Sequence, residues 1–209
     1  MAFVYDDALR QRIAGNLDAF PERLIEGEDL RSAAVVIAVT TDPDGTPAII
    51  LTRRPARMGR HAGQYALPGG KVDPGETAAQ AAFRELSEEL GLDLPQEALL
   101  GRLDDYATRS GFRISPFVVW AGASPEITPQ PDEVAAVHFI PFDDLVSDAI
   151  PLFDPGETPE RPVLFSRFPS LGTTLYSPTG SLVYQFREVA ILGQPTRVAH
   201  FDQPRFAWR

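Results

Sequence analysis

Gly70-Lys71-Val72-Asp73-Pro74-Gly75-Glu76, then seven residues, then Arg84-Glu85-Leu86-Ser87-Glu88-Glu89-Leu90-Gly91-Leu92, is the stretch that decides how this chain reads. Thr77 with Gln80 three residues on is a capping-box pattern, and Leu90-Gly91 is a helix stop, so a helix is predicted between them. Ala82, Phe83, Leu86 and Leu90 fall on its buried side, with Glu85, Glu88 and Glu89 elsewhere. The three glutamates stand at i, i+3 and i+4 and share one face. Like charges at this spacing repel by about a few tenths of a kcal/mol per pair when exposed. Taken alone, they describe a solvated acidic face relieved by Arg84 and salt.

The preceding segment changes that reading. Arg53, Arg54, Arg57, Arg60 and Lys71 follow one another with no acidic residue among them, and the sign reverses from Asp73 to Glu89. A basic stretch abutting an acidic cluster suits a phosphate-bearing substrate together with a divalent cation. Carboxylate oxygens are hard ligands, which fits Mg²⁺ or Mn²⁺, and Mg²⁺ is commonly shared between carboxylates and substrate phosphates. Arginine can clamp phosphate oxygens bidentately.

The spacing from Gly70 through Glu76 to Arg84-Glu85-Leu86-x-Glu88-Glu89-x-Gly91-Leu92 resembles the Nudix box of the Nudix hydrolases at every fixed position, a strong match for a short motif. The resemblance implies an α/β fold, a Nudix-type α/β/α sandwich around a mixed sheet, spanning about 33–147. It implies hydrolysis of a nucleoside diphosphate linked to another group. It also implies roles: Glu85 and Glu89 bind metal, Glu88 binds metal or activates water, the Gly70 carbonyl is a further ligand, Arg84 orients the cluster and Glu76 supports it. Glu133 is a candidate second-site carboxylate, because some relatives place a catalytic glutamate on the corresponding loop; an ordinary loop acid beside Asp132 is the other reading. Arg53, Arg54, Arg57, Arg60 and Lys71 are the candidate substrate-binding residues.

Ile50-Leu51-Thr52-Arg53-Arg54 and His61-Ala62-Gly63-Gln64-Tyr65-Ala66-Leu67-Pro68-Gly69-Gly70 resemble the upstream signature of the coenzyme A pyrophosphatase branch. Pro55, Gly59 and Leu67 depart from it. Coenzyme A or acyl-CoA is therefore the leading substrate, with ADP-ribose, a nucleotide sugar or a dinucleoside polyphosphate as the alternative. A Nudix-fold ligand sensor without catalysis is the competing class; such proteins usually lose box glutamates, which this chain keeps.

Elsewhere the periodicities are local. Leu9, Ile13, Leu17 and Phe20 predict a helix over 6–20. Ala33–Val39 and Ala48–Thr52 flank Asp42-Pro43-Asp44-Gly45 and predict a hairpin. Residues 99–107 and 112–121 read as two strands around Ser110-Gly111, 122–132 as a proline-rich loop, 134–140 as a strand, and Pro141-Phe142-Asp143-Asp144-Leu145 as the start of a short helix. Residues 1–150 read as the Nudix domain with its N-terminal helix, and 151–209 as an aromatic-rich, β-rich extension on the same domain, with a turn at Ser177-Pro178-Thr179-Gly180. The extension's aromatics pack on the sheet, or form a dimer surface or substrate lid; Nudix enzymes are frequently homodimers.

The net charge of −10 argues against nucleic-acid or anionic-membrane partners, so the expected partner is a small nucleotide-type molecule. The absence of cysteine excludes disulfides, thiolate zinc and a cysteine nucleophile. No signal segment or membrane-length apolar run is evident, and a cytoplasmic location is expected. Of the histidines, His61 reads as a loop hydrogen-bonder or phosphate contact, and His138 as a structural residue in a strand.

Overall fold

The computed structural model describes residues 3–27, 29–56 and 63–205. In order the elements are α1 (Asp7–Asp18), β1 (Arg31–Thr41), β2 (Pro47–Arg53), β3 (Tyr65–Ala66), β4 (Gly69–Lys71), α2 (Ala78–Leu90), β5 (Leu99–Arg102), β6 (Tyr106–Ala107), β7 (Phe112–Trp120), β8 (Ala136–Pro141), α3 (Phe142–Leu145), β9 (Leu152–Asp154), β10 (Val163–Phe168), β11 (Thr173–Tyr176) and α4 (Thr179–Phe186).

β1 is the centre of a mixed sheet. It runs parallel to β7, with Arg31 opposite Phe112 and Val39 opposite Trp120. Antiparallel to it lie β2, with Val39 opposite Ile49, and β4, with Ala34 opposite Gly70. β2 in turn pairs with β8 and β3. Because strand side chains alternate, the apolar run of β1 feeds two cores. Ala34, Val36 and Ala38 join Ala81, Ala82, Leu86 and Leu90 of α2. Ile37 and Val39 join Leu9, Ile13 and Leu17 of α1, together with Phe168 and Phe186 of the extension. The sheet is thus sandwiched between α2 on one face and α1 with the extension on the other.

Two predicted elements differ in detail. The strand expected over 99–107 breaks into β5 and β6, because Asp104 and Asp105 turn inward and are buried. Asp104 accepts the Arg23 N–H and the Gln185 amide at 2.7 Å each and pairs with Arg197. Asp105 accepts from Ser115 and pairs with Arg102. The extension begins as the expected sheet, with β10 between β9 and β11. After Ser177-Pro178, however, the second apolar run is helical: α4 continues into a π-type turn over Arg187–Ile191. Leu182, Val183, Phe186, Val189 and Ala190 are all buried, and their spacing is that of one helix face. Among the described residues no helix is long and apolar enough to cross a membrane.

Candidate active site

Local rules build the helix that carries the acidic cluster. Thr77 accepts the Gln80 N–H at 3.2 Å while the Gln80 side chain accepts the Thr77 N–H at 2.8 Å, completing the capping box. Gly91 ends the helix with φ +68° and an N–H bonded to the Ser87 carbonyl at 2.8 Å. Leu86 and Leu90 are fully buried, each contributing about 1.5–3 kcal/mol of burial. Phe83, expected among them, is only half-buried. Glu89, expected away from the buried side, is 3% exposed.

At about 100° per residue, Glu89 lies about 40° to one side of Glu85 around the helix and Glu88 about 60° to the other. The structure separates them. Carboxylate oxygens of Glu85, Glu89 and Glu133 all lie within 4.8 Å of one another. Glu133, on the loop before β8, is exposed, Glu85 half-buried and Glu89 buried. Glu88 stands outside this trio: its Oε2 accepts from Arg84 at 2.9 Å and its side chain is 58% exposed.

Burial, and secondarily the charge of Glu85, pushes the Glu89 carboxyl up to about 8. The Gly69 N–H, which donates to its Oε2 at 3.3 Å, and the charge of Arg54 act the other way. Burial also raises Glu85, opposed by Arg84. Burial thus disfavours the charged forms of two carboxylates that stand side by side.

Arg84 is a purely internal clamp. Its Nε and Nη2 donate to the two oxygens of Glu76 at 3.2 and 2.8 Å, Nη1 to Glu85 and Glu88 at 2.9 Å each, and Nη2 to the Lys71 carbonyl at 3.0 Å. Those bonds use all of a guanidinium's N–H donors. Glu76, held below the usual carboxylate range by Arg84 and by the Asp73 N–H, pins the turn before the helix.

The glycines let β4 approach the cluster. A Cβ on Gly70 would stand 2.3 Å from Glu85 Oε1, and one on Gly69, at φ +148°, 2.2 Å from the Ala34 carbonyl.

Of the basic candidates, Arg53 and Lys71 are exposed at the ends of β2 and β4. Arg54 is half-buried and near enough to bear on the titration of Glu89. Arg57, Arg60 and His61 lie outside the described residues, as does Gly59. His138 sits in β8 opposite Leu51, its ring 4.9 Å from that of Tyr65. Burial holds its pKa down, and its Nε2 is buried without a hydrogen-bond partner among the described residues.

The family model of the NUDIX domain matches residues 30–164. The chain belongs to the Nudix family. Among curated proteins it is 31% identical over 148 residues to Nudix hydrolase 3 of Caenorhabditis elegans, covering 67% of this chain and 62% of that protein. It is 36% identical over 115 residues to the uncharacterized Nudix hydrolase NudL of Pectobacterium atrosepticum, covering 54% and 59%. The chain thus spans about three-fifths of the length of these relatives. A MutT/nudix family protein from Enterococcus faecalis shares the fold, with a TM-score of 0.55 at 15% identity over 83% of this chain and 68% of that one. The Nudix box therefore lies, as its spacing predicts, on a strand, turn and helix of a Nudix fold.

Two features of the site were not evident from the box. Glu133 has no place in its spacing and reaches the cluster through tertiary folding alone. Gly69 carries a backbone donor to Glu89 that no side-chain pattern announces.

Proposed function

We propose that this Nudix protein is a divalent-metal-dependent pyrophosphohydrolase that cleaves the diphosphate linkage of a nucleoside diphosphate derivative. The observation that carries this reading is the trio Glu85, Glu89 and Glu133, with oxygens within 4.8 Å of one another and with Arg54 near enough to bear on Glu89. The trio fits a hard dication: its donors are all carboxylate oxygens, and its buried member is costly to ionise alone.

Glu85, Glu89 and Glu133 would hold the ion, with the Gly70 carbonyl as a further donor. The ion would neutralise the diphosphate and acidify a water. The chain's own groups do the rest. Arg84 fixes Glu85 and Glu88 in place. Glu88 binds Arg84 through Oε2, so Oε1 is the atom assigned to accept the proton of the attacking water. Arg53, Arg54 and Lys71, with Arg57 and Arg60, would bind phosphate oxygens and offset the charge that builds on the attacked phosphoryl group. Coenzyme A or an acyl-CoA is the proposed substrate, supported by the segments around Thr52-Arg53-Arg54 and Gly63 to Gly70. ADP-ribose, nucleotide sugars and dinucleoside polyphosphates are the competitors.

The test is product release from coenzyme A, ADP-ribose, NADH, a nucleotide sugar and a dinucleoside polyphosphate with Mg²⁺ or Mn²⁺. The reading predicts turnover of at least one, with coenzyme A foremost. Tight binding of one compound without turnover of any would overturn it in favour of a ligand sensor.

A further inference from the structure

The last carbonyls of a helix lack intrahelical partners. In α2 two of them are filled by the loop that follows β7. Thr128 donates its backbone N–H to the Leu90 carbonyl at 2.8 Å, and Gln130 donates to the Glu89 carbonyl at 2.9 Å. The approach is close, because a Cβ built on Gly91 would stand 3.2 Å from Thr128 Cβ. From Gln130 the chain turns tightly, its carbonyl accepting the N–H groups of Glu133 at 3.0 Å and Val134 at 2.8 Å. Val134 is buried in the core beside α2. Ala135 then donates to the Arg53 carbonyl at 2.8 Å. Glu133 is therefore held between two backbone anchors, the end of α2 and the end of β2. Three carboxylates this close repel one another, so something other than the ion must hold the loop in place.

We propose that the C-terminal end of α2 positions Glu133 for metal binding, through the Gly91–Thr128 contact and the carbonyls of Glu89 and Leu90. This rests on the reading of Glu133 as a metal ligand. Glu89 then serves twice: its side chain belongs to the cluster, and its carbonyl holds the loop that delivers the third carboxylate. Gly91, Thr128 and Gln130 are positioning residues that act through Glu133.

The test is Mn²⁺ affinity by calorimetry on the full chain, alongside circular dichroism to confirm folding. Gly91→Ala presses a methyl group on Thr128 at a φ of +68° and is expected to weaken Mn²⁺ binding roughly 10-fold, with Thr128→Gly restoring the part of the loss due to the contact but not the part due to the backbone angle. Gln130→Pro removes one donor without altering α2 and is expected to weaken binding likewise, which keeps the test decisive if Gly91→Ala fails to fold. In a Glu133→Gln background, itself weakened, neither change is expected to cost anything further, because their effect passes through that carboxylate. Equal losses in both backgrounds, or wild-type affinity in both positioning variants, would overturn the proposal. Wild-type affinity in Glu133→Gln alone would instead remove Glu133 from the site, and the proposal with it.

Discussion

Arg84 grips both oxygens of Glu76, at 3.2 and 2.8 Å, from a position eight residues along the chain. With its remaining donors on Glu85, Glu88 and the Lys71 carbonyl, it ties the turn, the strand before it and the helix into one unit. Lysine carries the charge but not the planar fork. Arg84→Lys is expected to lower kcat/KM by about 10- to 100-fold while the protein stays folded, and Glu76→Gln to lower it less. Steady-state kinetics with circular dichroism checks both.

Gly69 and Gly70 separate fold from site. A methyl group at 70 meets a side-chain carboxylate, whereas one at 69 meets the Ala34 backbone at a φ of +148°. Gly70→Ala is expected to fold and to lose Mn²⁺ affinity as Glu85 is displaced. Gly69→Ala is expected to lose on the order of 1–3 kcal/mol of stability. Denaturant melts and Mn²⁺ calorimetry on the two variants distinguish these outcomes.

The buried carboxyl of Glu89 sets a pH dependence. Its pKa is raised from an ordinary 4.5 to about 8, chiefly by burial. The fold therefore favours the protonated form. The stability this site contributes to the metal-free protein is full below about 4.5 and is lost as pH rises through about 8. Metal binding needs the ionised form, so Mn²⁺ affinity is expected to rise with pH over the same window, with proton release. Glu89→Gln should flatten the fall in melting temperature between pH 5 and pH 8.5 in chelator. An unchanged slope would contradict the assignment.

Near the C-terminal end of the described residues, Asp202 is buried and receives Arg109 through two bonds at 3.0 and 2.7 Å. Arg109 and the Gln203 N–H hold its pKa below the ordinary 3.8. This contribution is present above that value and is lost as pH falls through the lower folded value. Asp202→Asn is expected to cost about 1–2 kcal/mol at pH 7, with the difference from wild type closing at strongly acid pH in denaturant melts.

Features that depend on neighbours in sequence were legible. The Thr77–Gln80 cap, the Gly91 stop, the Asp42–Gly45 hairpin and the two-sided burial of β1 follow from spacing and turn chemistry alone. The helical run from Leu182 to Ala190 carried its own signal at helical spacing, which the Ser177-Pro178-Thr179-Gly180 turn pattern and the surrounding aromatics obscured. What sequence could not supply was closure over distance. Asp104 and Asp105 interrupt a strand because they find Arg197, Arg23, Ser115 and Arg102, most of them remote. Glu133 joins Glu85 and Glu89 because the loop from Thr128 docks on the end of α2, which no local pattern encodes. Even within the box, the i, i+3, i+4 spacing puts three glutamates on one face, and it is Glu133, brought in by tertiary folding, that sets Glu85 and Glu89 apart from the exposed Glu88.

The central claim is that the carboxylate cluster carries metal-dependent diphosphate hydrolysis. Its most direct test is turnover of coenzyme A and the other diphosphate-linked compounds by wild type and Glu89→Gln, each in Mg²⁺ and in excess chelator. The account predicts wild-type turnover that disappears in chelator and falls by orders of magnitude in Glu89→Gln, with the variant still folded. Turnover insensitive to chelator, or a Glu89→Gln variant working at the wild-type rate, would contradict it.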